Sequence, residues 1–125
     1  MKLNHINLCT DNVADCAAFF ERLFGFRIEA IRGQGSFAVL IGTDGFVLNL
    51  MKPGKAEPAS YPDDFHVGFF VATTDDVYVK QAEIAAAGLP MPEVKVLTRG
   101  GRSTVTLYCH APGGILVEVA SSVSG

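Results

Sequence analysis

Short runs in which apolar and polar residues alternate are interleaved along this chain with two longer runs in which apolar residues return every three or four places. Alternation gives a strand one face to bury and one to leave open, and the longer period gives a helix an apolar stripe. Residues 3–9 read as a strand. Residues 12–24, "NVADCAAFFERLF", read as a helix on the recurrence of Val13, Ala17, Phe20 and Phe24, with Asp11 or Asn12 to cap its start and Gly25 to end it. Three β runs follow, "FRIEAI", "SFAVLI" and "FVLNLM", parted by "RGQG" and "GTDG", whose Gly and Asp suit tight turns. The stretch "KPGKAEPASYP" has no periodic apolar face and holds three of the six prolines, which marks a linker. Then the order returns: "FHVGFFV" as a strand, "TDDVYVKQAEIAAAG" as a helix ending at Gly88, and "EVKVL", "STVTLYC" and "ILVEVA" as three more strands.

The pattern is therefore a βαβββ unit written twice, an α+β chain whose internal repeat decides the fold. Module one covers 1–52, a linker 53–62, and module two 63–121, all within a single domain 1–125. With 125 residues of which 49% are apolar, the chain can bury one real core and not two independent ones. Between the copies His5 falls opposite His66, and Asn49 opposite Glu118.

Strand parity then assigns faces. Ile6, Leu8, Phe46, Leu48, Leu50, Phe65, Val67, Phe69, Ile115, Val117 and Val119 fall on the side that can pack against helices. His5, Asn7, Asn49, His66 and Glu118 fall on the other. In "RSTVTLYC" Val105, Leu107 and Cys109 point to the core, and Arg102, Thr104, Thr106 and Tyr108 join the polar side. That side also carries Val47, Met51, Gly68, Phe70, Leu116 and Ala120. A mainly apolar surface with a few convergent polar groups is the make-up of a small-molecule pocket.

Composition removes several alternatives. The net charge of −3 comes from interspersed charges without a basic block, so nucleic acid is not an expected partner. Cys9, Cys16 and Cys109 show no paired spacing, and the first residues lack the layout of a signal peptide, so a reducing cytoplasm is expected. No apolar run approaches the roughly 20 residues that span a bilayer. Cys16 and Cys109 read as core fillers, Cys9 as structural, and His110 as an exposed turn residue.

The frame "LNHINL…FFERLFGFR…FHVGFFV…LYCHAPGGILVEV" resembles the vicinal oxygen chelate superfamily, the glyoxalase, bleomycin-resistance and extradiol dioxygenase group, over nearly the whole chain. The resemblance implies paired βαβββ modules forming a cupped mixed sheet with helices on the outer face, a divalent metal ion in the cup, and a homodimer. Its ligand positions, the first and last strands of each module, correspond here to His5, Asn49, His66 and Glu118. Two imidazoles and a carboxylate suit Fe²⁺, Mn²⁺, Zn²⁺ or Ni²⁺. Asn49 departs from the pattern, because glyoxalase I-type enzymes usually carry a carboxylate there and an amide oxygen is a weak ligand. It reads as a pocket-lining amide. That shifts the expectation toward three-ligand relatives such as extradiol dioxygenases and fosfomycin-resistance thiol transferases. The seven residues after Glu118 hold no cation of the kind those transferases use, and no histidine fits the acid-base position of the dioxygenases.

The expected function is a metal-dependent enzyme of a small oxygenated or carbonyl-bearing substrate, with the ion on His5, His66 and Glu118 as Lewis acid. Glu118 and Tyr108 are its expected catalytic groups, and Asn7, Asn49, Val47, Met51, Phe70, Arg102, Thr104, Thr106 and Leu116 line its pocket. Arg102 stands at the rim, able to pair with an anionic group. The competing expectation is a metal-free module that sequesters a drug or metabolite, as bleomycin-resistance proteins of the superfamily do.

Overall fold

The computed structural model describes residues 1–54 and 59–123; part of the expected linker, residues 55–58, lies outside them. Its elements run β1 (His5–Cys9), α1 (Val13–Phe24), β2 (Arg27–Arg32), one 3₁₀ turn (Gly33–Gly35), β3 (Phe37–Ile41), β4 (Val47–Met51), β5 (His66–Phe70), α2 (Thr74–Ala86), β6 (Lys95–Arg99), β7 (Arg102–His110) and β8 (Leu116–Ser122). Two four-stranded mixed sheets result, ordered β1-β4-β3-β2 and β5-β8-β7-β6, each with one parallel pair, β1 with β4 and β5 with β8. These are two βαβββ modules of an α+β fold. The chain forms two compact units, one of residues 1–62 with Ala111–Ile115, the other of 63–110 with the described part of 116–125. Among the described residues no helix is long and apolar enough to cross a membrane.

In the first unit, α1 starts where the Asn12 side chain accepts the Asp15 N–H, and ends at Gly25 in the left-handed conformation. Its stripe buries Val13, Cys16, Ala17, Phe19, Phe20 and Leu23 against β2, β3 and β4. Phe24, expected in that stripe, is only half-buried, its ring tilted against Phe19 and Phe20 at 5.4 and 5.9 Å. The segment 111–115 completes this unit. The Thr10 hydroxyl donates to the Pro112 carbonyl (3.5 Å), and Gly113, at φ +94°, comes so close that a Cβ there would lie 1.9 Å from Thr10 Oγ1. Only glycine fits both the backbone angle and the space.

In the second unit α2 opens on a capping box, Thr73 and Asp76 each accepting the other's backbone N–H. It packs on β7 and β8 and buries Val77 and Ile84. "RGQG" forms the expected tight turn as a 3₁₀ turn, with Gln34 at φ 58°. Two expectations need correction. β6 starts at Lys95 and runs on to Arg99, because the Gly100–Gly101 turn closes the hairpin directly on the Arg99–Arg102 pair, two pairs beyond Leu97. His110 ends β7, paired with Leu116, rather than standing in a turn, though it is exposed as expected.

Candidate functional site

Cross-strand partners share a face, so the register of the second sheet shows which side chains gather on it. Across β5, β8 and β7 the rows are Gly68, Glu118 and Tyr108; Phe70, Ala120 and Thr106; and His66, Leu116 and His110. β6 adds Leu97 beside Thr104 and Arg99 beside Arg102. The opposite face, with Val105, Leu107, Cys109, Val117 and Val119 buried, is the side α2 covers.

On the open face Glu118 is the hub. The Tyr108 hydroxyl donates to Glu118 Oε2 at 2.5 Å, a short charge-assisted bond. His66 Nε2 stands 3.7 Å from the same oxygen. His66 Nδ1 lies 2.9 Å from the Asp64 carbonyl oxygen, which can only accept, so Nδ1 carries a proton and Nε2 is the ring nitrogen that faces Glu118. The hydrogen bond to Glu118 holds the Tyr108 proton and pushes its phenol above the usual range; desolvation and the Glu118 charge add to the rise, and Arg99 opposes it. Tyr108 and Glu118, but not His66, border a hollow of about 270 Å³ whose other walls are Phe70, Leu97, Arg99, Arg102, Thr104, Thr106 and Ala120.

The first unit repeats the layout with different chemistry. His5 Nδ1 bonds Asn4 Oδ1 at 2.7 Å, again leaving Nε2 free of that bond. Asn49, paired in register with Asn7, donates its amide N–H to Asn7 Oδ1 at 2.7 Å. Val47 and Met51 flank them, half-buried, on β4. The Tyr61 hydroxyl accepts the Cys9 N–H (2.6 Å) and donates to the Cys9 carbonyl (2.8 Å), tying the chain before β5 to the end of β1. Cys16 and Cys109 are buried, and burial pushes their thiols up to about 12 and about 11.

Of the residues expected at the site, His66, Glu118 and Tyr108 cluster, and Phe70, Arg102, Thr104 and Thr106 share their hollow, with Thr106 almost wholly buried. Leu116 lies beside His66 and outside the lining. His5, Asn7, Asn49, Val47 and Met51 occupy the open face of the first sheet. Among the described residues no group of three His, Cys, Asp or Glu side chains is gathered that could hold a metal ion; the second unit supplies the pair His66 and Glu118. Leu97, Arg99 and Tyr61 were not expected. Arg99 was legible in "RGGR", where two glycines between arginines form a hairpin tip and put both on one face.

The family model described as Glyoxalase/Bleomycin resistance protein/Dioxygenase superfamily matches residues 2–119. The solved structure of a possible glyoxalase from Bacillus cereus is 33% identical, covering 95% of this chain and 97% of that one at a TM-score of 0.75. A lactoylglutathione lyase from Agrobacterium tumefaciens (19% identity, 96% and 92% coverage, TM-score 0.70) is similar in fold. So is a glyoxalase/dioxygenase from Nostoc punctiforme (17%, 98% and 92%, TM-score 0.71). Curated proteins gave no match.

Proposed function

The chain belongs to the glyoxalase/bleomycin resistance protein/dioxygenase superfamily, and we propose that within it the protein is a metal-dependent enzyme acting on a small oxygenated or carbonyl-bearing substrate. The observation that carries this reading is the orientation of the donors. His66 has its Nδ1–H fixed on a carbonyl oxygen and its Nε2 turned toward Glu118, and Glu118 is itself held by Tyr108. Metal-binding histidines and carboxylates are commonly oriented by such outer partners, which fix the tautomer and strengthen the donor. His5, the third donor of this reading, is held through Nδ1 in the same way within its own unit. Two imidazoles and a carboxylate fit Fe²⁺, Mn²⁺, Zn²⁺ or Ni²⁺ and leave positions open.

When bound, the ion supplies Lewis-acid polarisation of substrate oxygens or lowers the pKa of a bound water. The chain's own groups do the rest. Glu118 Oε2 is a proton acceptor at the edge of the hollow, and the Tyr108 hydroxyl donates to that oxygen and fixes its orientation. Phe70, Leu97 and Ala120 offer apolar surface to a substrate's carbon skeleton, and the Thr104 hydroxyl, 3.2 Å from that of Thr106, can orient a polar group. The likeness to a possible glyoxalase at 33% identity supports a carbonyl-bearing substrate over other members' chemistry.

Thermal unfolding of the purified protein, with EDTA and then with each of the four ions restored in excess, tests the reading. The melting temperature should fall with chelator and recover with at least one ion, since a ligand bound only by the folded state stabilises it by mass action. A melting temperature indifferent to chelator and to every ion would move the protein to the metal-free binding members of the superfamily.

A further inference from the structure

The β6–β7 hairpin carries a feature that the donor pair leaves unused. Gly100 and Gly101 form its two-residue turn, both at positive φ (56° and 76°), the backbone that tight hairpin turns require and side chains disfavour. Closure in this register sets Arg99 directly opposite Arg102. Like charges facing each other across two strands repel, so the hairpin holds a locally unfavourable arrangement. Among the described residues the ion pairs of lysine and arginine are Arg27 with Glu29, Lys80 with Glu83 and Lys95 with Glu93; neither arginine of the hairpin has a carboxylate partner. Both instead line the hollow that Glu118 and Tyr108 border.

We propose that Arg99 and Arg102 form an anion subsite at the far end of this hollow, and that the substrate carries an oxyanionic group, a carboxylate or a phosphate, at the end remote from His66 and Glu118. The subsite stands on the arginine pair itself; its link to a substrate rests on the proposed function. A guanidinium presents its N–H groups in a planar fork that matches two oxygens of either anion, and two guanidinia side by side match a doubly charged one. β7 carries both Arg102 and Tyr108, and the six residues from one to the other span about 20 Å of strand. Both arginine side chains reach from their end of the strand into the hollow. A substrate whose anionic group sits on the arginines lays its middle on Leu97, Thr104 and Thr106.

The test is a titration of the full chain with inorganic phosphate, and separately with acetate, at fixed ionic strength and with EDTA present throughout, followed by backbone amide NMR. Saturable shifts centred on Arg99–Thr104 are expected. Arg99→Gln and Arg102→Gln should each weaken binding on the order of tenfold, the usual loss for one charge-assisted hydrogen bond, and the double variant should abolish it. Arg32→Gln, at an exposed arginine of β2, should leave it unchanged. Tighter phosphate binding assigns the subsite to a phosphate, and tighter acetate binding to a carboxylate. Shifts that do not saturate, or saturable binding that survives in the double variant, would overturn the proposal. Because the chelator removes metal from every sample, a failed metal reading leaves these shifts in place, and a failed anion subsite leaves metal uptake by the wild-type chain as it was.

Discussion

His5 and His66 hold the same place in two copies of one module, yet their surroundings differ at three matched positions. Beside His5 stand Asn7 on the same strand, Asn49 on the neighbouring one, and Val39 beyond it. Beside His66 the matching residues are Gly68, Glu118 and Tyr108. The first set closes on itself, one amide bonded to the other with an apolar neighbour. The second is a carboxylate, a phenol that donates to it, and a glycine whose missing side chain leaves the space over Glu118 open; a Cβ there would come only into ordinary contact at 3.9 Å. A duplicated scaffold has thus gathered a carboxylate and a phenol around the histidine of its second copy, while the first keeps a histidine and a neutral amide pair.

Packing differs in the opposite sense. α1 buries six side chains, including Phe19 and Phe20, whereas α2 buries Val77 and Ile84. If the first module is the better-packed one, Phe20→Ala should cost about 3–5 kcal/mol of unfolding free energy and Val77→Ala only about 2 kcal/mol. Urea denaturation of the two variants checks the order. Equal costs would erase the packing half of the comparison.

A smaller effect sharpens the same contrast through the buried thiols. Cys16, on the buried face of α1, has its thiol pushed from 9.0 up to about 12, and Cys109, on β7, from 9.0 to about 11, in both cases first by burial. A raised folded pKa means the native state keeps protons that the unfolded chain releases. Their stabilising contribution is therefore complete below pH 9 and is lost as pH rises toward 11 for Cys109 and 12 for Cys16. Stability should fall by about 1 kcal/mol per thiol between about pH 9 and pH 10. Cys16→Ala should flatten that slope, as measured by urea denaturation at each pH. An unchanged slope in this variant would mean that other groups set the alkaline limit.

Much of this was legible before any coordinates. The βαβββ repeat followed from period alone, because alternation and the three-to-four step are hard to confuse over runs as long as 12–24, and burial then followed parity at Leu48, Leu50, Val117 and Val119. The pairing of Glu118 with Tyr108 was legible as shared parity, but its 2.5 Å bond was not, since register between strands is fixed by turns and not by period. Arg99 was missed for that reason: ending the strand at Leu97 hid the pair that the Gly100–Gly101 turn extends to Arg99 and Arg102. Tyr61 was missed because it lies in a segment without periodicity, where a contact with Cys9 leaves no mark in the sequence. Phe24 shows the limit of the helical stripe at its last residue, where the chain already turns away at Gly25.

The most direct test of the asymmetry between the copies is divalent metal affinity, measured by equilibrium dialysis with Zn²⁺ and Mn²⁺ on the wild-type chain and on Glu118→Gln and Asn49→Ala. If the second copy supplies the carboxylate donor and the first only a lining amide, Glu118→Gln should weaken binding by about a hundredfold or more, while Asn49→Ala changes it by less than about threefold. Retained binding in Glu118→Gln together with loss in Asn49→Ala would contradict the account and place the ligand chemistry in the first copy.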